Sequence, residues 1–388
     1  MKILIVLTYY RPHISGLTIY AERLARAFAA RGHQVTVLTS RFDRSLPTEE
    51  VLHGVRIVRT PVLFRLSKGV IMPTFGYLAS KLVREHDVVQ LHLPQFDAAG
   101  VALRGRLLGK PTVVTYHCDL ELPPGLFNRI ANQVVLLMNH LTAMLTHRIV
   151  TYTEDYAAHS AYTRRFAKKV AIIPPPVELP EISAEERLAF GEEHNPQQRH
   201  PVIGMLARFA TEKGVEVLLN AIPSILDRYP QALFEFVGPY QNIIGEEAYY
   251  ERLKPLLDQY QASGHWKFLG PLPPEKVAAF FANLDLLCVP SLNSTESFGL
   301  VQIEAMINGV RCITSDLPGV RQPVLMHHMG RIIPIGDSAA LARSVLELLD
   351  DPADKPQSSK EFQRYDPDQT ARRYEDIFAE IMSELKQQ

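Results

Sequence analysis

Two tandem α/β domains, each a parallel sheet with helices on both faces, are predicted by three features of the sequence. The chain has 388 residues, more than one core accommodates at about 150 residues per domain. Short apolar runs alternate with amphipathic helical stretches in both halves, the pattern of strands joined by helical crossovers. Pro174, Pro175 and Pro176 interrupt that alternation, since three prolines continue neither a helix nor a central strand, and it restarts after residue 200. A composition of 46% hydrophobic and 21% charged residues is that of a soluble globular enzyme and excludes a disordered or collagen-like chain.

The elements follow in order. Residues 2–8 form an apolar, strand-like run. It is too short for a secretory leader, and Tyr9-Tyr10-Arg11-Pro12-His13 stands where a small-residue cleavage site would be. Residues 17–31 have helical periodicity, with Ile19, Leu24, Ala27 and Phe28 on one face and Gly32 as the stop. Residues 34–39 are β-branched and strand-like, and 55–59, 87–92, 112–116 and 148–153 repeat the pattern. Residues 174–200 read as a linker with a short surface helix. Beyond it, strands are expected at 202–206, 232–237, 266–269 and 284–289, and helices at 214–229, 246–261 and 300–308. Two such units suggest Rossmann-like domains facing a deep cleft. No run reaches about 18 apolar residues, so no transmembrane helix is expected. Cys118, Cys288 and Cys312 form no CxxC pair, which argues against a disulfide framework or zinc cluster and for the reducing cytosol.

The net charge of −1 hides an asymmetry. Residues 1–174 carry 22 Lys and Arg against 11 Asp and Glu, a net of +11, and the remainder carries 19 against 31, a net of −12. Two readings follow: the domains attract one another, or the first half meets an anionic surface or substrate. No nucleic-acid partner is expected.

Ligands of open parallel sheets bind beyond the carboxyl ends of the strands, so the loops there matter most. The first ends in Ser15-Gly16 before a helix. Gly16 lets backbone approach a ligand and the helix start offers N–H groups to an anion; a plain N-cap is the alternative. There is no GxGxxG, against a dinucleotide oxidoreductase, and no GxxxxGK[ST], against a P-loop NTPase. The second loop, 207–214, carries Arg208 and Lys213. Arg holds a phosphate bidentately and Lys adds a point charge; two solvated surface cations are the alternative. The third segment, 290–306, places Glu296 and Glu304 in an E-x7-E spacing around Ser297-Phe298-Gly299-Leu300-Val301. Phe298 through Val301 would present N–H groups at a helix N-terminus, and carboxylates, which only accept, suit sugar hydroxyls. A capping acid plus a surface Glu is the alternative.

On these residues the sequence resembles the retaining glycosyltransferases of family four, which have the GT-B architecture. The matching text is SGLTIYAERLARAFAARGHQVTVLT, IGMLARFATEKGVEVLL, FLGPLPPEKVAAFFANLDLLCVPS and ESFGLVQIEAMINGVRCITSDLPG, and the likeness covers nearly the whole chain. It implies transfer of a sugar from a nucleotide diphosphate sugar, UDP- or GDP-linked, with retention of configuration and a front-face displacement. It implies an acceptor-binding domain at 1–174, a linker at 175–200, a nucleotide-sugar-binding domain at 201–367, and a helix at 368–388 crossing back to the first domain. Arg208 and Lys213, with backbone N–H groups near Gly16, Leu300 and Val301, would neutralise the diphosphate without a divalent metal or other cofactor. Glu304 would accept from the ribose, while Glu296 and the Phe298 and Gly299 backbone would hold the sugar. Gly238 and Phe268-Leu269-Gly270 would lie near the base. His117, in Thr115-Tyr116-His117-Cys118-Asp119, would contact the donor sugar or the reacting centre, and His92 receives no role. Two departures stand out: the three prolines replace a frequent Asn-Gly turn, and Gly238-Pro239-Tyr240 replaces a glycine-rich one.

The basic first half pairs charge with apolar surface. Arg65 and Lys68 lie within an apolar stretch at 62–72, and 125–145 is long and mostly uncharged with Arg129 near its start. Arg164, Arg165, Lys168 and Lys169 surround Phe166. Such surfaces suit an anionic membrane interface, at about 1 kcal/mol per basic residue. The alternative is a core helix at 125–145 and cations that are solvated or face the acidic half. The expectation is a cytoplasmic enzyme, peripheral on the inner face of the cell membrane, with a lipid-linked or otherwise anionic acceptor. A nucleotide-sugar epimerase of the same fold and a non-catalytic sugar-nucleotide-binding protein are the rival readings. The joint presence of His117, Arg208, Lys213 and Glu296 weighs against the second rival.

Overall fold

The computed structural model describes residues 1–66, 69–121, 125–243, 245–351 and 359–387. The chain forms two compact units, Met1–Val177 with Gln363–Gln388, and Glu178–Phe362.

The first unit is built on strands β1 (Lys2–Val6), β2 (Gln34–Arg41), β3 (Glu49–Leu52) and β4 (Val55–Pro61), the short hairpin β5 (Phe64–Leu66) and β6 (Gly69–Ile71), and β7 (Val88–Leu93), β8 (Thr112–Tyr116), β9 (Arg148–Thr151) and β10 (Val170–Ile172). Its main sheet has the order β10-β9-β8-β7-β1-β2-β4-β3. Every neighbouring pair in it is parallel except β3–β4. Both faces are covered, which is why β1 reads as a continuous apolar run: Ile3 through Val6 are fully buried, and so is every residue of β7, the polar Gln90 and His92 included.

The helix Gly16–Ala30 begins with a capping box. The Ser15 hydroxyl accepts from the Thr18 N–H at 3.2 Å, and the Ser15 N–H donates to Thr18 Oγ1 at 2.8 Å. It buries Tyr20, Leu24 and Phe28. The C-terminal helix Pro367–Gln387 belongs to this unit and lies against it. Phe378 packs on Phe28, the Tyr374 and Tyr20 hydroxyls share a hydrogen bond of 2.8 Å, and Arg31 forks onto Glu375 at 2.6 and 2.7 Å. The apolar contacts hold that helix down. The bidentate Arg31 pair adds a directed contact near the surface, where an ion pair contributes little on its own.

The second unit is an all-parallel sheet of β11 (Val202–Leu206), β12 (Leu233–Val237), β13 (Trp266–Gly270), β14 (Leu286–Val289), β15 (Arg311–Ser315) and β16 (Gly330–Ile333), ordered β13-β12-β11-β14-β15-β16. Its core holds Ile203, Phe234, Phe236, Trp266, Leu286 and Ile313. Residues 178–200 lie within this unit. The helix Ala184–His194 has its own Ser183–Glu186 capping box and buries Phe190, and the backbone carbonyl of its Arg187 accepts from the Asn283 side chain at 3.0 Å. The strand order reverses between β11 and β14, so the loops leaving those two strands flank the crevice where Rossmann-type sheets bind ligands. Among the described residues no helix is long and apolar enough to cross a membrane.

Candidate functional site

The loops after β11 and β14 are pressed together by a glycine. Gly214 has φ +68°, and a Cβ there would stand 2.0 Å from the Pro290 carbonyl oxygen, so only glycine lets residues 207–214 lie against the chain leaving β14. The Leu292 N–H donates to the Glu212 carbonyl at 2.9 Å and secures the contact. The turn is also tied from behind. The Thr211 N–H and hydroxyl both donate to Glu246 Oε2, at 2.9 and 2.7 Å, and Glu246 is buried.

This packing brings Lys213 Nζ to 2.5 Å from Glu296 Oε2. The other carboxylate oxygen of Glu296 accepts the Gly299 N–H at 3.0 Å. Gly299 takes φ +76° and stands at the N-cap of the helix Leu300–Ile307. Gln302, fully buried, donates from Nε2 to the carbonyls of Phe298 at 3.0 Å and Val320 at 2.8 Å, which fixes that turn. Arg208 pairs with Glu212 on the same loop. Glu304 is buried at 6% exposure and is not the surface residue of the alternative reading.

The neighbouring loops are stitched to this one. A Cβ on Gly238, at φ +125°, would meet the Ala207 carbonyl at 2.0 Å. The Gly238 N–H donates to Gly270 at 2.8 Å, and the Phe209 N–H donates to Pro239 at 2.8 Å. Gly238, Leu269 and Gly270 thus share one edge with Arg208. Gly16 sits in the first unit, where Ser15 consumes one N–H of the helix start. A Cβ on Gly16 would meet nothing within 4 Å, so no atom of the chain itself requires glycine there.

His117 lies in the first unit, just past β8. It shares a 2.8 Å hydrogen bond through Nε2 with Nδ1 of His92, on β7, and its Nδ1 bonds the hydroxyl of Tyr152, just past β9. The Tyr20 ring makes T-shaped contacts with both imidazoles. Burial holds both imidazoles neutral: His92 is pushed down to about 3, and His117 falls well below the ordinary range through burial and then the neighbouring His92. The two rings must carry complementary tautomers, one donating where the other accepts. His92, Tyr152, Glu246 and Gln302 are absent from the sequence-level set. For His92 and Tyr152 the signal was present, since both sit at carboxyl ends of strands beside β8.

The basic residues separate into two kinds. Arg164, Arg165 and Lys168 are exposed. Arg65 is exposed and donates to the Phe42 carbonyl, and Lys68 lies outside the described residues. Lys169 departs from the expected membrane-side cluster: its Nζ donates to the carbonyls of Ala143, Met144 and Thr146 at 2.9, 3.0 and 2.7 Å. It caps the C-terminus of the helix Leu126–Leu145, where free carbonyls attract a cation. That helix is not the core helix of the alternative reading. It exposes Ile130, Val134, Leu137 and Met144, spaced as one stripe, with Arg129 beside it. The helix Ala98–Leu107 packs on it and exposes Leu103 and Leu107.

Two family models match the chain, Glycosyltransferase Family 4 over residues 14–180 and Glycosyl transferases group 1 over residues 187–366. The phosphatidyl-myo-inositol mannosyltransferase of Mycobacterium leprae is 27% identical, over 90% of this chain and 87% of its own. The 2-deoxystreptamine glucosyltransferase of Streptomyces kanamyceticus is 29% identical, over 85% and 89%. Among solved structures, Anabaena HepE in complex with UDP superposes with a TM-score of 0.76 at 17% identity, covering 98% of this chain and 100% of that one. Sucrose-phosphate synthase from Thermosynechococcus elongatus gives 0.75 at 20%, covering 98% and 99%. With both halves matched in order and two parallel-sheet units of the GT-B fold, the chain belongs to the group 1, family 4 glycosyltransferases and is a hexosyltransferase.

Proposed function

We propose that the protein is a retaining glycosyltransferase that moves a hexose from UDP or GDP to a hydroxyl of a lipid-linked or otherwise anionic acceptor, without a divalent metal. The observation that carries this reading is the meeting of Lys213, Glu296 and the Gly299 N–H at the switch point of the second sheet, with Arg208 on the adjoining turn. Cations and a carboxylate there match the two ends of a sugar diphosphate.

In this reading the diphosphate draws Lys213 from Glu296 and Arg208 from Glu212. The carboxylate of Glu296 then accepts from sugar hydroxyls, and Glu304 accepts from the ribose. As the bond from the anomeric carbon to phosphate breaks, its electron pair goes to the phosphate oxygen, and the two cations stabilise that charge. The acceptor oxygen bonds to the same face of the carbon, and its proton passes to the departing phosphate. No metal is needed for charge neutralisation.

The acceptor side belongs to the first unit in this reading. That unit carries 26 Lys and Arg against 17 Asp and Glu, a net of +9. The exposed stripe of Ile130, Val134, Leu137 and Met144 beside Arg129 suits an anionic lipid surface. The name of the Mycobacterium leprae relative, which specifies phosphatidyl-myo-inositol, supports a lipid acceptor. A peripheral position on the cytoplasmic face follows.

The test is incubation with UDP- and GDP-hexoses, with and without vesicles of anionic phospholipid, reading nucleoside diphosphate release and the anomeric configuration of the product by NMR. Release with an α-linked product from an α-linked donor supports the reading. Interconversion of two sugar nucleotides with no diphosphate released would favour the epimerase.

A further inference from the structure

The turn that carries Arg208 and Lys213 is gripped by the start of the helix Glu247–Ala262, which follows β12. Glu246, at the N-cap of that helix, accepts both the N–H and the hydroxyl of Thr211 on one oxygen, Oε2, at 2.9 and 2.7 Å. The Phe209 ring lies against Tyr249 and Tyr250, with centroids 5.5 and 5.3 Å away. The Tyr249 hydroxyl accepts the Glu216 N–H at 3.3 Å, in the first turn of the helix Val215–Arg228. Along the chain, held residues therefore bracket the two cations: Phe209 and Thr211 follow Arg208, and Glu216 follows Lys213.

Thr211 opens a short 3-10 turn, Thr211–Lys213, that ends in Gly214. The first N–H of such a turn has no partner inside it, and Glu246 takes that N–H from Thr211. The Lys213 N–H donates to the Ala210 carbonyl at 2.9 Å, so a shift of Thr211 carries Lys213 with it. Glu246 does not use its side chain to cap its own helix. It is buried, and among the described residues the hydrogen-bond donors to its carboxylate are those of Thr211, with no Lys, Arg or His paired to it. A buried carboxylate without a cation is costly, and beside a phosphate turn it also opposes the incoming anion. Packing alone would be met by an apolar side chain. The carboxylate is explained by the turn it holds.

We propose that Glu246 is a positioning residue for donor binding: it holds Thr211, and through it Arg208 and Lys213, in the geometry that meets the diphosphate. This inference rests on the nucleotide-sugar reading above.

Calorimetric titration of UDP, GDP and inorganic pyrophosphate into the full chain and its Glu246→Ala, Glu246→Gln and Thr211→Val variants tests it, with thermal unfolding to check the fold. Glu246→Ala is expected to weaken the preferred nucleoside diphosphate and pyrophosphate alike, roughly tenfold, because the turn serves the phosphates. Thr211→Val, which removes the hydroxyl donor from an exposed residue, is expected to give a smaller loss of the same kind. Glu246→Gln keeps an oxygen for both Thr211 donors and removes the charge, so it is expected to bind pyrophosphate at least as tightly as the parent. Unchanged pyrophosphate affinity in folded Glu246→Ala or in Thr211→Val would overturn the role of Glu246 and leave the nucleotide-sugar reading standing. A loss in Glu246→Gln equal to that in Glu246→Ala would also overturn it, since the acceptor oxygen is retained. A parent protein that binds neither nucleoside diphosphate would overturn the nucleotide-sugar reading itself.

Discussion

Lys213 Nζ and Glu296 Oε2 are 2.5 Å apart, so the two groups to which the proposed function gives the phosphate and the sugar are each other's partner. They come from loops leaving different strands, β11 and β14, and the close backbone approach at Gly214 makes the pairing possible. With each charge compensated, the pair costs little to keep; a diphosphate and a sugar offer each member a replacement.

The cation pair of the phosphate turn gives the first prediction. Arg208→Ala and Lys213→Ala should each lower turnover about 100-fold or more, because the leaving diphosphate loses a preorganised charge. EDTA should leave the rate unchanged. Abolition by chelation, reversed by magnesium or manganese, would show that a metal carries that charge.

A second concerns pH. His117 is buried with both ring nitrogens engaged, and burial with His92 beside it keeps the ring neutral. The rate profile between pH 5.5 and 8 should therefore show no inflection belonging to His117. A step near the ordinary histidine value that disappears in His117→Gln would mean that the ring titrates during turnover.

Stability should depend on pH through Glu235, which is buried on β12. Burial raises its carboxyl to about 7, against the opposing pull of Lys267. The folded state then holds the proton more tightly than the unfolded chain. That contribution is fully present below about pH 4.5 and is lost as pH rises through about 7. Glu235→Gln should be the more stable protein at pH 8, by on the order of 3 kcal/mol at most, and should match the parent near pH 4.5. Urea unfolding at the two pH values measures it; a variant equally unstable at both would assign the carboxyl a packing role.

Membrane association is predicted to use charge and apolar surface together. Binding to anionic vesicles should rise with anionic lipid, fall from low to high salt, and weaken in Leu137→Glu and in the triple change of Arg164, Arg165 and Lys168 to Ser. Lys169→Ala should instead lower the melting temperature, since it uncaps the helix Leu126–Leu145. Co-sedimentation decides; no binding at low salt would leave a soluble acceptor.

What was legible in the sequence follows from how strongly each residue is constrained by its neighbours in the chain. Buried strands such as β1 and β14 announce themselves as apolar runs, and Arg208, Lys213, Glu296 and Glu304 stand within short spacings of a motif. The edge strand β3, reading Glu-Glu-Val-Leu, and the three-residue β5, β6 and β10 carry no such pattern, because pairing with a neighbour defines them. The same holds for contacts. Lys169 looked like one member of a surface cluster because the carbonyls it caps lie more than twenty residues earlier. His92 looked idle because its partner, His117, lies 25 residues later, just past β8. Glu246 gave no signal, because its partner Thr211 lies 35 residues away.

The exchange of partners by Lys213 and Glu296 is tested most directly by calorimetric titration of UDP and GDP into the parent and the Glu296→Gln, Lys213→Ala and Glu304→Ala proteins. With the competing carboxylate neutralised, Glu296→Gln should bind the preferred nucleoside diphosphate at least as tightly as the parent, while its transfer rate falls. Lys213→Ala and Glu304→Ala should both bind more weakly. Loss of nucleoside diphosphate affinity in Glu296→Gln equal to that in Lys213→Ala would contradict the exchange and make Glu296 part of the phosphate site itself.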